Sequence, residues 1–199
     1  MHAVKMLAGL LLASGVGAQV PVPAKDSTQK LPGVTVTAPN ESRRARQVGF
    51  YDRKQQGMGR FVDREQLKRF DEQRVSNAIQ AVIPGVAVQY SRQSSEAWPL
   101  STRSPTGGSC ALCRARPDSL LDRMDMAKGA RPGACYMDVY VDGMVMYNSG
   151  VKPPPPLFDI NSIPVAMIEA IEVYQSGAQM PAQFNRTSGG CGAVVIWTR

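Results

Sequence analysis

Histidine is almost missing from this sequence. The single one, His2, lies in a leader-like stretch, so the mature chain has no imidazole to serve as a general base, to activate a nucleophile or to hold a metal. That excludes Ser-His-Asp and Cys-His arrangements and every histidine-ligated metal site. Long apolar runs are missing too. Beyond the leader nothing approaches the ~18 consecutive apolar residues of a spanning helix, so the mature chain is expected to be soluble or peripheral. A second close cysteine pair is also lacking, which argues against a four-cysteine zinc site. No repeat recurs at a fixed period, so a solenoid is excluded.

What is there begins with MHAVKMLAGLLLASGVGAQ. Lys5, the apolar stretch Met6 to Val16 and the small residues Val16-Gly17-Ala18 follow signal-peptide order, so residues 1–18 are read as a secretory leader. The whole chain has 199 residues, 43% hydrophobic and 20% charged, a globular composition suited to one domain with tails. Its formal charge of +7 becomes +6 once Lys5 leaves with the leader. Basic residues gather at Arg43-Arg44-Ala45-Arg46, from Arg53 to Arg74 and from Arg114 to Arg131, with acids interleaved in the last two. Interleaved charge is usually a solvated face, and an exported chain seldom meets nucleic acid, so nucleic-acid binding is not expected.

Residues 19–47 are rich in Pro, Ala, Ser, Thr and Arg and read as a flexible arm, with the domain proper at 48–199. Asp63 caps a short helix through Phe70, with Gln66 at the capping-box position. Val75, Ala78, Ile79 and Val82 fall on one helical face, with Ser76 available as a cap and Pro84-Gly85 as the stop. Val86, Val88 and Tyr90 alternate like a half-buried strand. Residues 91–134 read as a loop insertion with a short helix at Ser119 to Met126. Asp142-Gly143, set between the alternating runs 135–141 and 144–147, predicts a tight hairpin. Pro153 to Pro156 form a stiff spacer, Ile160 to Ile168 a short helix with Pro164 in its first turn, and 171–174 and 193–198 two further strands. The class is α+β, a small mixed sheet with short helices packed on it.

The order of these segments resembles the plug domain of TonB-dependent outer-membrane receptors. The resemblance rests on Leu31 to Ala38, on Ile83-Pro84-Gly85-Val86, on Val139 to Val141 with Asp142-Gly143, on Ile168 to Val173 with Ile171-Glu172-Val173 and Gly177, and on Gly190-Cys191-Gly192 leading into 193–198. Each is weak alone, but together they keep the family's order. The resemblance implies a small domain of the kind that sits inside a 22-stranded barrel, for which the sequence leaves no room, so a stand-alone plug is expected. It makes Val34, Thr35, Val36, Thr37 and Ala38 a TonB-box-like segment, able to add a strand to a partner's sheet. Of two arginines usual in such receptors, the first is replaced by Ala170, and Arg92 is the nearest counterpart of the second. Gly177-Ala178 stands where Gly-Pro is usual.

The resemblance also implies an exported binding module in the periplasm or peripherally associated with the periplasmic face of the outer membrane, with TonB or a separately encoded outer-membrane protein as partner and an unidentified small-molecule ligand. No cofactor is implied.

Four cysteines in an exported chain favour two disulfides, for which three connectivities exist. Cys135 and Cys191 each precede an expected strand and pair if those strand ends are neighbours, leaving Cys110 and Cys113 to pair locally. The long bridge is worth about 4 kcal/mol on chain-entropy grounds, against about 2 kcal/mol for the local ring. Cys110-Ala111-Leu112-Cys113 with Arg114 and Arg116 nearby also permits a thiol-disulfide redox reading. Its setting after Ser-Pro-Thr-Gly-Gly-Ser is a loop, whereas thioredoxin-like sites lie between a strand and a helix. Asp138, Asp142, Glu169 and Glu172 are read as solvent-facing or capping, not as paired acids of an enzyme.

Overall fold

The computed structural model describes residues 42–102, 120–151, 155–185 and 190–199. The chain divides after Thr37, and all these residues belong to the unit Ala38–Arg199. The elements are α1 (Arg43–Gln47), α2 (Phe50–Gln56), β1 (Arg60–Asp63), α3 (Arg64–Leu67), α4 (Val75–Val82), β2 (Val86–Tyr90), β3 (Ala97–Ser101), α5 (Leu120–Lys128), β4 (Asp138–Val141), β5 (Met144–Tyr147), β6 (Ile168–Tyr174) and β7 (Ala193–Thr198). Short 3-10 turns cover Ile160–Ser162, Val165–Met167 and Gly177–Gln179.

Five strands form one sheet in the order β1-β6-β7-β4-β5, and β2 with β3 forms a separate ribbon. The β4–β7 pair is parallel and the others are antiparallel, so the sheet is mixed as expected. Successive strand residues face opposite sides, and both sides of β6 and β7 are covered. Ile171, Val173, Val194 and Ile196 enter one core with Leu67, Phe70, Val75, Ile79 and Trp98. Ala170, Tyr174, Ala193, Val195 and Trp197 enter a second core with Ala45, Phe50, Met180 and Phe184. Two-sided burial explains why these strands read as nearly continuous apolar runs.

The hairpin forms where it was expected. Asp142 has φ 50° and Gly143 φ 82°, the paired positive values of the mirror-image turn that matches strand twist. Asp142 then does more than turn the chain. Its carboxylate accepts from the Thr198 amide (2.9 Å) and hydroxyl (2.6 Å) at the end of β7, and from Arg44 (3.3 Å) on α1. Asp63 also caps α3 with the full reciprocal box to Gln66.

Cys135 and Cys191 are bridged, with Cα atoms 5.3 Å apart. The parallel pairing of Asp138 with Ala193 brings the two strand starts together. At Gly192 a side chain would collide with the Tyr174 carbonyl oxygen, so the approach of the loop to β6 requires glycine.

Several expectations change. Packed structure starts before residue 48, because Ala45 on α1 is buried. Ser76 does not cap α4: its own amide donates instead to Asn161 Oδ1 (3.1 Å), which satisfies an orphan of the first turn from a distant loop. Residues 160–168 form two 3-10 turns, not one helix, and β6 starts at Ile168. Inside the 91–134 insertion lies β3, whose Ala97 and Trp98 are buried. Its Pro99 lacks an amide donor and is tolerated in a two-stranded ribbon, while its carbonyl accepts from the Met137 amide (3.0 Å).

The bridge ties the starts of the parallel pair β4 and β7, so its removal is a sharp test of this architecture. A Cys135→Ser, Cys191→Ser double variant should lose about 2–4 kcal/mol in denaturant unfolding. A loss below about 1 kcal/mol would show that strand pairing alone holds the loop.

Candidate functional site

The burial of β6 sets the first feature. All seven of its residues are buried, so Glu172 carries a carboxylate into a sheet interior with apolar neighbours on both sides. It is fully enclosed, at 0% exposure. A charge there requires dedicated donors, and four reach it. Arg53 of α2 gives Nε to Oε2 (2.9 Å) and Nη2 to Oε1 (2.5 Å). Tyr174 donates its hydroxyl to Oε2 (2.5 Å), and Trp197 its indole N–H to Oε1 (2.6 Å). The guanidinium also donates to the Val48 carbonyl (2.8 Å). It lies 5.8 Å from the Phe184 ring centre and 5.7 Å from that of Trp197, within cation-π range.

This arrangement perturbs its members. Burial by itself would lower the Arg53 pKa, but the hydrogen bonds and charge of Glu172 raise it above its ordinary value. Burial, then the bond to Glu172, pushes the Tyr174 hydroxyl well above the usual tyrosine range. Both groups are thereby held in their protonated forms. Helix α2 is pinned to the sheet by a bidentate ion pair that a lysine could not reproduce.

Beside this cluster lies an open groove of about 530 Å3, lined by Val48, Tyr140, Val145, Gln183, Phe184 and Trp197 among others. Its walls are largely aromatic and aliphatic. Tyr140 is anchored by its hydroxyl to the Phe184 carbonyl (2.8 Å). A second open cavity, about 700 Å3, is polar and includes Lys54, Asp63, Arg64, Lys68, Glu169 and Arg199. Its charges are committed to one another or to neighbours: Lys54 to Asp63 (2.9 Å), Lys68 to Glu65 (2.6 Å), Arg199 to Glu169 (3.6 Å), and Arg64 to Asp71. The apolar groove is the better binding surface of the two.

Asp138, near the groove wall at the start of β4, is also fully buried. Its Oδ1 accepts from the Ser149 amide (2.7 Å) and hydroxyl (2.8 Å), while Oδ2 has no partner among the described residues. Burial raises its pKa, only partly offset by those two bonds. The reading of the four carboxylates as solvent-facing therefore fails for Asp138, Glu169 and Glu172, which are buried. The reason is that their strands are covered on both faces.

The other residues singled out from the sequence fall as follows. Pro84 and Gly85 form the turn between α4 and Val86, and the Pro84 carbonyl accepts from Gln175. Ile171 and Val173 line one core on either side of Glu172. Gly177 opens a 3-10 turn, and Gly190 and Gly192 flank the bridged Cys191. Ala170 is buried in the second core. The Arg92 amide bonds the Lys128 carbonyl (2.8 Å). Val34, Thr35, Val36, Thr37, Ala38, Cys110 and Cys113, and part of the 153–156 spacer, lie outside the described residues. Among the described residues no group of three His, Cys, Asp or Glu is placed to hold a metal. No helix among them is long and apolar enough to cross a membrane.

Arg53, Tyr174, Trp197, Val145 and Phe184 were not singled out from the sequence. One signal was available: a glutamate inside Ile-Glu-Ala-Ile-Glu-Val-Tyr implies a buried cationic partner once the strand is taken as covered on both sides.

A five-stranded mixed sheet, helical cover on its faces and a bridge at its central strands define a small α+β domain of plug type. The TonB-dependent Receptor Plug Domain family matches residues 53–190, and the chain belongs to that family. The comparison with curated proteins gives no match. Among solved structures, a mutant form of the ferric enterobactin receptor (PfeA) from Pseudomonas aeruginosa is similar, with 19% identity and a TM-score of 0.41. The likeness covers 80% of this chain and 19% of that one, so this chain spans about a fifth of the receptor's length.

Two substitutions test the electrostatics. Arg53→Ala should cost about 3–5 kcal/mol in urea unfolding, because it strands the Glu172 carboxylate, and Arg53→Lys should recover only part of that. A loss under about 1 kcal/mol would show that water replaces the guanidinium. Asp138 has its folded pKa raised above the ordinary 3.8, so the folded state binds the proton more tightly than the unfolded chain. Its contribution therefore favours folding at low pH and declines as pH rises through the raised value. Asp138→Asn keeps an acceptor for Ser149 and should gain stability relative to wild type between pH 3.5 and pH 7, read from unfolding midpoints. A difference that stays flat over that range would contradict the assignment.

Proposed function

We propose that this chain is a non-enzymatic plug-type binding module serving outer-membrane uptake in the cell envelope. The observation that carries the reading is the family match over residues 53–190. The leader-like residues 1–18 and an apolar groove open to a partner support it. The work of such a module is recognition: surfaces held by a rigid two-faced sheet contact a ligand or protein, and no bond is made or broken. In this reading the arm carrying Val34 to Ala38 engages TonB by strand addition, and a separately encoded outer-membrane protein is the other partner.

The thiol-disulfide alternative rests on Cys110 and Cys113, outside the described residues. The Cys135–Cys191 bridge lends it no support, because at 5% and 1% exposure the two residues are closed to an attacking thiolate.

Cell fractionation followed by crosslinking and mass-spectrometric identification of partners tests the reading. The expected outcome is recovery in the envelope with crosslinks to TonB or to an outer-membrane barrel protein. Recovery in the cytosol, or crosslinks confined to soluble enzymes, would overturn it.

A further inference from the structure

One dipeptide in the chain combines two properties that pull against each other. Asp142-Gly143 is its single Asp-Gly pair, and no Asn-Gly pair occurs. Glycine has no side chain to shield its backbone nitrogen, so in such a pair the aspartate's carboxyl carbon is open to attack by the next residue's amide. The two-residue turn nevertheless requires that glycine, since Asp142 has φ 50° and Gly143 φ 82°. Gly143 is exposed, and a Cβ there would meet only the Trp197 ring, at 3.9 Å. The turn thus selects the residue that leaves the amide unshielded.

Attack is an intramolecular step. The Gly143 nitrogen gives up its proton and bonds to Cγ of the protonated Asp142 carboxyl, one carboxyl oxygen leaves as water, and a succinimide ring closes. Water then opens the ring at either carbonyl. Cleaving the nitrogen's bond to Cγ restores aspartate, whereas cleaving its bond to the backbone carbonyl carbon leaves an isoaspartyl linkage, with an extra methylene in the main chain. No oxidant or cofactor is consumed, and the mass is unchanged.

The surroundings of Asp142 oppose the first step in two ways. Both carboxylate oxygens are held toward the end of β7: Oδ1 accepts from the Thr198 amide (2.9 Å) and from Arg44 (3.3 Å), and Oδ2 from the Thr198 hydroxyl (2.6 Å). The carboxyl carbon cannot turn onto the Gly143 nitrogen without breaking these bonds. Burial by itself would raise the Asp142 pKa, but the Thr198 bonds and Arg44 bring it below its ordinary value. The protonated form that reacts is thereby scarce. The Asp142 amide is also fixed, donating to the Ile196 carbonyl (2.9 Å).

We propose that Asp142-Gly143 is a latent site of isoaspartate formation, and that the clamp of Thr198 and Arg44 on the Asp142 carboxylate sets how slowly the folded chain modifies itself there. The conversion would undo the clamp as well, because the free carboxylate moves onto the α-carbon and the turn lengthens. The site acts whatever partner the domain meets, so it does not rest on the uptake reading.

The test ages the full chain at neutral pH and body temperature for several weeks. Proteolysis followed by mass spectrometry with electron-transfer fragmentation, which distinguishes the two linkages at equal mass, then quantifies isoaspartate at position 142. Wild-type protein unfolded in guanidinium chloride supplies the unclamped rate. Folded wild type should isomerise at least about tenfold more slowly than that reference, since three hydrogen bonds must break before the ring can close. Arg44→Ala should accelerate the folded rate about threefold, and Arg44→Ala with Thr198→Val further still, while Arg44→Lys stays near wild type. The Cys135→Ser, Cys191→Ser variant, destabilised away from the clamp, should keep the folded wild-type rate while it remains folded. Isomerisation of folded wild type as fast as the unfolded reference, or clamp variants indistinguishable from wild type, would overturn the proposal. So would equal acceleration in the cysteine variant, which would assign the protection to overall rigidity.

Discussion

A carboxylate with no access to water sits near the centre of this domain, and much of one side of the sheet is arranged to receive it. Glu172 occupies the second core, among Ala170, Tyr174, Val195 and Trp197. Each of its oxygens is bound twice, once by Arg53 and once by an aromatic donor. Replacing such a group with a hydrocarbon is often neutral for stability, so the pair is better understood through geometry than through energy. Four donors from three elements fix α2 against β6 and β7 in one register. Phe50 and Ala45, which precede Arg53 by a few residues, are buried in that same core. The ion pair and the apolar contacts select the same placement.

That placement creates the groove. Val48 follows α1, its carbonyl accepts from Arg53, and it lines the groove together with Val145. Trp197 both donates to Glu172 and lines the groove, and Phe184 lies under the guanidinium and forms another wall. The groove and the buried pair therefore share residues. The position of α2 and the shape of the groove are set by shared contacts.

How much of this was legible depends on whether the determining contact is local. Asp142-Gly143 was readable because the positive φ values belong to the two residues themselves. The period of Val75, Ala78 and Ile79 located α4, and the unbroken apolar run located β7, since each is a property of one segment. The bridge followed from strand starts. By contrast β1 has four residues with charges at both ends, and α1 buries only Ala45, so neither carries enough periodic signal. Proline hid β3. Arg53 and Glu172 are 119 residues apart, and nothing within either segment names the other. Reading the basic cluster from Arg53 onward as a solvated face was reasonable for Arg60 and Lys68 and wrong for Arg53, because only the fold decides which arginine meets the buried acid.

The contrast between the two sheet edges carries the last step. Both edge strands are four residues long and the β4–β5 pair contains a register shift, and short or bulged edges are among the ways a sheet limits further pairing. The β5 edge adjoins the aromatic groove, whereas the β1 edge has Arg60 and Asp63 and lies beside a cavity whose charges are already paired. The domain's own strands are tied together by the Cys135–Cys191 bridge and by Asp142 across β4, β7 and α1.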